Sequence, residues 1–389
     1  MTGSSTDRAA GPGLRLGLRA NLAQFTLLVA VNALVGGMLG QERTVLPLLA
    51  TDEFGLRAYT AALTYIFAFG LAKAITNYFA GTFSDRFGRK PVLVAGWLVA
   101  VPVPVLLIVA PSWAWVVAAN VLLGVSQGLT WSLTVIMKID LVGPARRGFA
   151  MGMNEAAGYV AVAATALATG YLAQAYGLRP APFLLGLAFA ALGLGLSTVA
   201  VRETRDYARL EAARHTPRGN GKHDHLHADL TNAEVFAQTS LKEPALSAAS
   251  QAGMVNNLND GLAWGLFLVL FAGAGLSIGQ IGILAALYPL IWGAGQLVTG
   301  ALSDRWGRKW LIAGGMALQA LALAWSPSST ASAGGLRPPS CSAPGPRWST
   351  RPCSPPSATS HTRPGAPARS AWTGSGATAA SRSALWSPA

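Results

Sequence analysis

Charged residues are scarce in this sequence: Asp, Glu, Lys and Arg make up only 12% of its 389 residues. Soluble globular domains spend about a quarter of their residues on these four types, so the chain lacks the charge needed to cover a water-facing surface. The low charge and the repeated apolar runs exclude a soluble enzyme, a disordered protein and a secreted disulfide scaffold. We therefore expect no enzymatic activity.

Residues that hold disulfides, metals or nucleotides are also scarce. The two cysteines, Cys341 and Cys353, both lie near the end of the chain and support neither a redox site nor a zinc site. The sequence contains no Walker sequence and no metal-ligand spacing. It therefore predicts no metal and no cofactor, and it gives no support for ATP-driven transport.

Long apolar runs occupy most of the chain. A helix crosses a bilayer core with about 20 apolar residues, and nine runs read as spans: 22–48, 58–80, 91–110, 113–138, 148–175, 180–200, 246–273, 278–300 and 310–325. The sequence therefore predicts an all-α polytopic membrane protein in contact with the lipid bilayer.

The net charge is +13, and apart from the tail most basic residues lie in the loops between these runs. Such loops are typical of the cytoplasmic side of a membrane protein, so we expect no nucleic acid partner. Alternating the loops across the membrane puts eighteen Lys and Arg on one side and only Arg43, Arg57 and Arg179 on the other. The positive-inside rule then predicts a multi-pass protein of the cytoplasmic (inner) membrane with its N-terminus in the cytoplasm.

A ten-residue segment occurs twice. GTFSDRFGRK begins at Gly81 and GALSDRWGRK begins at Gly300, with seven identical positions. Each copy follows the second span of its half of the chain, which indicates a duplicated architecture. Transporters built from such repeats place the substrate site at the repeat interface near the membrane midplane. The glycines suit a tight turn, and the Asp side chain can face a helix N-terminus.

The pattern G-x-x-x-D-R-x-G-R-K between second and third helices resembles the signature loop of the major facilitator superfamily, and the resemblance covers residues 20 to 325. It implies two six-helix bundles around a central cavity, alternating access and no covalent chemistry. It also implies that the repeated segments form a conformational latch between helices, with the residues Gly81, Asp85, Arg86, Gly88, Arg89, Lys90, Gly300, Asp304, Arg305, Gly307, Arg308 and Lys309.

The domain organisation follows from one long polar stretch and from the tail. We expect a six-helix N-terminal bundle and an incomplete second bundle of three helices, followed by a disordered tail. The corresponding ranges are 1–20 for the cytoplasmic N-terminus, 21–200 for the first bundle, 201–245 for a cytoplasmic linker, 246–325 for the partial bundle and 326–389 for the tail.

The last 64 residues differ from the rest in composition. They lack Asp, Glu, Lys, Ile, Val, Phe, Tyr, Asn, Gln and Met, yet contain six arginines and 11 of the 23 prolines. Such a composition is typical of a disordered basic tail that cannot bury a core.

A shifted reading frame accounts for this tail. Back-translated with GC-rich codons and moved by one nucleotide, it permits a reading with WLAAAVLLGAG, similar to WVVAANVLLG at Trp115, and with an Asp before WRARS, similar to Asp140 before Arg146. Both matches lie about 219 positions downstream, which is the offset between Gly81 and Gly300. We hypothesise a single-nucleotide frameshift near residues 324–326, which removes the tenth to twelfth spans from this chain.

Polar side chains inside the spans are candidates for a substrate or proton pathway, because ionisable groups at membrane depth are costly. The candidates are Asn32, Glu42, Lys73, Asn154, Glu155, Asn256, Asn257, Asp260 and Gln296. Glu42, Glu155 or Asp260 would carry the proton, with Lys73 as counter-charge and Glu155 as its expected partner. The alternative for Glu42 is an interfacial span end, and for 256–260 it is interhelical hydrogen bonding. Tryptophans such as Trp97 are expected in packing or in interfacial belts.

The predicted function is secondary active transport of a small solute by alternating access, driven by protons or by the substrate gradient alone. The expected partners are a small-molecule substrate, protons and lipid, and the expected state is a monomer. The alternative is a non-transporting membrane protein, either a receptor or an inactive truncated remnant. The altered tail favours an inactive chain.

Overall fold

The computed structural model describes residues 14–56, 63–215 and 231–332, and every regular element within these ranges is a helix. In chain order the helices are α1 (Leu22–Arg43), α2 (Val45–Asp52), α3 (Thr64–Phe87), α4 (Arg89–Ala100), α5 (Pro102–Val109), α6 (Trp113–Val142), α7 (Arg147–Tyr176), α8 (Ala181–Val199), α9 (Arg205–His215), α10 (Asn232–Ala237), α11 (Pro244–Gly261), α12 (Phe267–Gly273), α13 (Ile278–Trp306) and α14 (Lys309–Ser332). A 3₁₀ turn (Pro144–Arg146) and two π-helical turns (Gln238–Lys242 and Leu262–Leu266) complete the list.

Six helical segments of the described chain are long and apolar enough to cross a membrane. They are Leu22–Asp52, Arg89–Val109, Trp113–Val142, Arg147–Tyr176, Ala181–Val199 and Ile278–Trp306. The predicted all-α membrane fold is confirmed. Helix α3 has 24 residues and would extend about 36 Å, but it carries Lys73, Asp85 and Arg86 and is therefore less apolar.

The repeated segments are mainly helical, whereas the sequence placed them in loops. Helix α3 continues to Phe87 and α4 begins at Arg89, so Gly88 alone separates them. In the second copy α13 continues to Trp306. Gly88 and Gly307 have φ of 99° and 79°, a left-handed conformation that suits glycine and ends each helix sharply.

Two predicted spans differ from the helices found. The run 246–273 is divided by the π-helical turn Leu262–Leu266, and α14 runs to Ser332, seven residues into the predicted disordered tail. A proline inside a helix removes one backbone hydrogen bond and adds a steric clash, so residues 326–332 are helical against the local sequence preference. Residues 333–389, with the proposed frameshifted segment, lie outside the described residues, as do 216–230 of the linker.

The described residues belong to two compact units, one that runs through Ala313 and one that begins at Gly314. All of the contacts described below belong to the first unit. The domain boundaries expected from the sequence remain predictions.

Helices α7 and α13 lie against each other through small residues. A Cβ atom added to Gly152 would lie 2.5 Å from the carbonyl oxygen of Gln296 and 2.9 Å from Cα of Gly300. Further along, a Cβ on Gly170 would lie 3.0 Å from Cα of Gly282. Backbones approach this closely only where side chains are absent, which is how helices associate in lipid. This contact places α13 of the second half along α7 of the first.

The first part of the linker is bound to the first half of the chain, which the sequence did not reveal. Thr204 donates a hydrogen bond to Asp140 at 2.9 Å, and Tyr207 donates one to Asn21 at 3.1 Å. Helix α9 is therefore held against the ends of α1 and α6.

Glu203 caps the start of α4 from the linker. Its carboxylate accepts from the backbone N–H groups of Arg89 and Lys90, each at 3.0 Å, and from those of Thr204 and Arg205. Partial burial alone would raise the pKa of Glu203, but these four donors stabilise the charged form and hold its pKa below the usual range. The carboxylate also lies at a helix N-terminus, where negative charge is favourable.

This cap predicts a pH dependence of stability. Because the pKa of Glu203 is lower in the folded state, its contribution is present above about pH 4.3, the ordinary glutamate pKa, and is lost as the pH falls through the folded-state pKa. Glu203→Gln should lower the melting temperature in detergent at pH 7 and reduce the drop in melting temperature between pH 7 and pH 3.5. Glu243→Gln is the control, at an exposed linker glutamate that accepts a single backbone N–H, from Leu246 at 2.8 Å. An equal loss of pH dependence in both variants would contradict the role of Glu203.

Candidate substrate cavity and latch

The aspartate predicted to belong to the latch in the second repeat contacts a helix of the first half. Asp304 Oδ1 accepts a hydrogen bond from the backbone N–H of Gly148, and Oδ2 accepts one from Phe149, both at 2.9 Å. These two N–H groups belong to the first turn of α7. Backbone N–H groups in a first turn have no acceptor within their own helix, and the helix dipole there favours an anion. The contact therefore joins α13 to the N-terminal end of α7 by charge and hydrogen bonds.

The latch residue of the first repeat has a different partner. Asp85 is half exposed and accepts a hydrogen bond from Arg89 Nη1 at 2.5 Å. Arg89 is buried, and its Nε lies 3.4 Å from Oδ2 of Asp140, which also accepts from Thr204. This chain of charges connects the start of α4 to the end of α6 and the linker.

The remaining latch residues are close to these contacts or exposed. Arg86 lies 5.2 Å from the ring centroid of Phe87, and Lys309 lies 5.5 Å from that of Trp310. Other members are mostly at the surface: Gly81, Lys90, Arg305 and Arg308 are half-buried or exposed.

A buried polar network lies between α1, α6 and α7. Asn32 Nδ2 donates to the carbonyl oxygen of Asn154 at 2.6 Å, and Thr134 Oγ1 donates to Asn32 Oδ1 at 2.8 Å. Lys138, which sequence analysis missed, is fully buried and donates to Asn154 Oδ1 at 2.5 Å. Because these groups satisfy one another, they fix how the three helices meet.

Lys73 and Glu155 approach the same tryptophan without forming the ion pair that the sequence predicted. Trp131 Nε1 donates to Glu155 Oε1 at 2.9 Å, and Lys73 Nζ lies 5.2 Å from the centroid of the Trp131 ring. Lys73 Nζ also lies 5.6 Å from the ring centroid of Phe69. The indole thus stands between the two charges, and it stabilises the cation through its face and the carboxylate through its N–H.

Glu42 and Arg43 are buried, with 1% and 3% of their surface exposed, and both lie within the helical segment Leu22–Asp52. The guanidinium carbon of Arg43 lies 4.2 Å from the centroid of Trp264. Trp264 belongs to the π-helical turn, so this cation–π contact joins the first half of the chain to the second. Asp260, one turn earlier, accepts a hydrogen bond from Tyr288 at 2.5 Å.

Four aromatic rings form a closed cycle beside these charges. Tyr159 contacts Trp264 and Trp292 with centroid distances of 6.2 and 5.5 Å, and Tyr288 contacts the same two rings at 6.0 and 6.3 Å. Trp131 extends the cycle at Tyr159, with a centroid distance of 5.6 Å. We call these five residues the aromatic cluster. It lies between α6 and α7 on one side and the π-helical turn with α13 on the other.

The structure separates some predicted cavity residues from this cluster. Asn256 is half-buried and Asn257 is exposed on α11. The Gln296 carbonyl faces Gly152, and its side chain lies within 3.5 Å of Thr299 at the surface. Their polarity marked them as candidates, but one residue of helix turns a side chain by about 100°, and hydropathy does not fix that direction.

The aromatic cluster was missed because tryptophan and tyrosine are also common in packing and at membrane interfaces. The spacing held a signal, since Tyr159 follows Glu155 by four residues and Trp264 follows Asp260 by four. Residues four apart share a helix face. Trp97, in contrast, is buried against Gly193, away from the cluster, as expected for a packing residue.

The arrangement suits binding and charge movement. Within the described ranges, no group of three or more His, Cys, Asp or Glu is placed to hold a metal ion. Six charged residues near the cluster take part in none of the five described ion pairs. They are the cations Arg43, Lys73 and Lys138 and the carboxylates Glu42, Glu155 and Asp260. These six groups can therefore change charge or partner without breaking an ion pair.

Known proteins with similar sequences are membrane transporters. The family model described as Major Facilitator Superfamily matches residues 25–276. The uncharacterized MFS-type transporter YfnC of Bacillus subtilis (strain 168) is 33% identical over 129 residues. That alignment spans 33% of this chain and 30% of the length of the relative.

The chain is also similar to the solved structures of two transporters. The D-xylose-proton symporter is 18% identical with a TM-score of 0.46, and the alignment covers 71% of this chain and 67% of the symporter. The human organic anion transporter MFSD10 is 17% identical with a TM-score of 0.40, and the alignment covers 73% and 94%. The match over residues 25–276 shows that this chain belongs to the Major Facilitator Superfamily, a family of multi-pass membrane transporters.

Proposed function

We propose that the protein moves a small solute across the cytoplasmic (inner) membrane by alternating access, with proton coupling at the aromatic cluster. The observation that carries this proposal is the set of charges around the cluster, which come from both halves of the chain and form no ion pair with one another. Charges at membrane depth are costly and are kept where they serve a substrate or ion pathway.

Glu155 and Asp260 are the proposed proton carriers. Each carboxylate accepts a hydrogen bond from an aromatic donor, Trp131 for Glu155 and Tyr288 for Asp260. Protonation would weaken these bonds and loosen the rings that join the two halves. Lys73 and Arg43 lie against Trp131 and Trp264, so they supply the counter-charges. Proton binding would thus be coupled to separation of the halves.

The contact between Asp304 and α7 is the proposed latch. It consists of two hydrogen bonds and a charge–dipole attraction, which can be made and broken as the halves rock. With the N-terminus in the cytoplasm, this end of α7 faces the cytoplasm. The structure would then be the state in which the latch is closed on that side.

Solute-induced proton flux tests the proposal. The full chain is reconstituted in liposomes that contain a pH-sensitive dye, and a panel of small solutes is added in turn. We expect at least one solute to acidify the lumen or make it alkaline, and Glu155→Gln to abolish that signal. Glu243→Gln, at the exposed linker glutamate, is the matched control and should leave the signal unchanged. Flux that survives in both Glu155→Gln and Asp260→Asn would contradict proton coupling at the cluster.

The second candidate is an inactive membrane protein, which the composition after Ser326 favours. The same assay on a protein with the reading frame restored at residues 324–326 separates the two. Flux by the restored protein alone would assign transport to the complete fold and inactivity to this chain. Flux by both would exclude the inactive alternative.

A further inference from the structure

We infer that the aromatic cluster binds an organic anion in which a carboxylate is attached to a flat ring. This inference rests on the proposed function, because it names the substrate class of the same cavity. Three features support it: hydrogen-bond donors without acceptors, nearby carboxylates that already accept hydrogen bonds, and the spacing of the rings in the cluster.

Buried donors at the cluster have no acceptor. Within residues 14–56, 63–215 and 231–332, the Nε1 atoms of Trp264 and Trp292 and the Nε atom of Arg43 are buried and form no hydrogen bond. Trp264 is only 6% exposed, and Arg43 lies on its ring. A buried donor without a partner is costly, more so if it is charged, so a ligand that supplies acceptor oxygens binds more tightly.

The two carboxylates that accept hydrogen bonds from the aromatic cluster are less suited to a ligand, whereas Glu42 Oε1, beside Arg43, is buried without a donor. Glu155 accepts from Trp131 and also from Asn154 Nδ2 at 3.1 Å, and Asp260 accepts from Tyr288. A cationic ligand would have to replace these bonds. It would also compete with Arg43 and Lys73 for the aromatic faces on which they lie, against the repulsion of like charges.

Arg43 and Lys73 favour a carboxylate ligand because they are cations. Neither cation has a carboxylate oxygen within 4 Å in the described chain, since no ion pair includes them. A guanidinium has a planar fork of donors that matches a carboxylate with two parallel hydrogen bonds. The anion would therefore lie at Arg43, and one oxygen would accept from an indole N–H of the cluster.

The rest of the ligand is defined by the rings. Centroid distances of 5.5–6.3 Å around the cycle lie within the range of favourable aromatic pairs. A flat ring can replace one such contact by stacking, whereas a puckered ring of the same size makes fewer face contacts. A single-ring aromatic carboxylate offers oxygens to the unpartnered donors and a flat face to the rings.

Three probes of nearly the same shape test the charge preference. Benzoate, benzamide and benzamidinium share one ring and a planar head group, and at pH 7 they carry charges of −1, 0 and +1. Binding to the full chain in detergent is measured by isothermal titration calorimetry, with cyclohexanecarboxylate as the non-planar anion. We expect benzoate to bind at least about 10-fold more tightly than benzamide and benzamidinium, because a hydrogen bond to a charged acceptor is stronger than one to a neutral acceptor. We expect it to bind more tightly than cyclohexanecarboxylate as well, because only the flat ring can stack on the aromatic rings.

Two matched tryptophan variants test the site. Trp264→Phe removes an unpartnered indole N–H at the cluster and keeps an aromatic ring, and it should weaken benzoate binding about 5- to 10-fold with a smaller effect on benzamide. Trp97→Phe removes another buried, unpartnered indole N–H on α4 and should leave binding unchanged. Melting temperatures of both variants show that they are folded.

Several outcomes would overturn the inference. These are equal or tighter binding of benzamide or benzamidinium, no benzoate binding at millimolar concentration by folded protein, or the same affinity in Trp264→Phe. Proton flux driven by benzamidinium with no benzoate binding would reject the anion and retain the proposed transport. Benzoate binding with the predicted selectivity but without flux of any solute would support the site and reject transport by this chain.

Discussion

Replacing Asp304 with Asn should open the contact between α13 and the N-terminal end of α7. The carboxylate accepts from two backbone N–H groups, at Gly148 and Phe149, whereas the Asn side chain has one acceptor oxygen and no charge. A charge at a helix N-terminus contributes up to about 2 kcal/mol in favourable geometry. Since 1.36 kcal/mol corresponds to a factor of ten, the equilibrium between closed and open latch should shift by about 5- to 30-fold toward open.

Labelling of a buried cysteine measures this shift. Cys341 and Cys353 are replaced with Ser, and Ala156→Cys introduces a thiol on α7 where 4% of the residue is exposed. Its carbonyl oxygen would lie 3.1 Å from a Cβ added at Gly293 of α13, so the thiol reacts with a maleimide only when the helices part. Asp304→Asn should raise the labelling rate, and Asp85→Asn should raise it less. Equal rates in Asp304→Asn and the parent protein would show that the contact does not hold the helices together.

The sequence identified Asp304 but not its partner, and the reason is physical. A repeat shows which residues are duplicated, whereas the contact depends on how two halves meet in space. The same offset of 219 residues places the counterparts of Gly148 and Phe149 at residues 367 and 368, which lie outside the described residues. Within the described residues, the ion pair of Asp85 is therefore the one with Arg89.

Hydropathy predicted the helical architecture well, because burial in lipid requires long apolar helices. It did not predict the π-helical turn at Leu262–Leu266, because hydropathy does not distinguish π-helical from α-helical backbone hydrogen bonding. It also missed the cluster around Trp264, whose role depends on contacts across the halves, and the docking of α9, whose polar residues suggested a solvated linker. Charges such as Lys73 were found because their cost in lipid makes them conspicuous.

The docking of α9 leads to the largest expected loss of stability. Arg147 Nη2 donates to Glu211 Oε1, and the two side chains are only 8% and 11% exposed. Removing one partner of such a buried pair typically costs about 3–5 kcal/mol, because the other charge stays buried. Arg147→Met should therefore lower the free energy of unfolding in detergent by about that amount, and the double variant with Glu211→Met should recover most of it.

The exposed pair of Arg209 and Asp206 on the same helix is the matched control. Its side chains are 64% and 63% exposed, so Arg209→Met should cost about 0–1 kcal/mol. Arg147 directly precedes Gly148, the residue that binds Asp304, so Arg147→Met should also raise labelling of the Ala156→Cys thiol. A loss of stability without increased labelling would show that α9 stabilises the first half of the chain but does not position the latch.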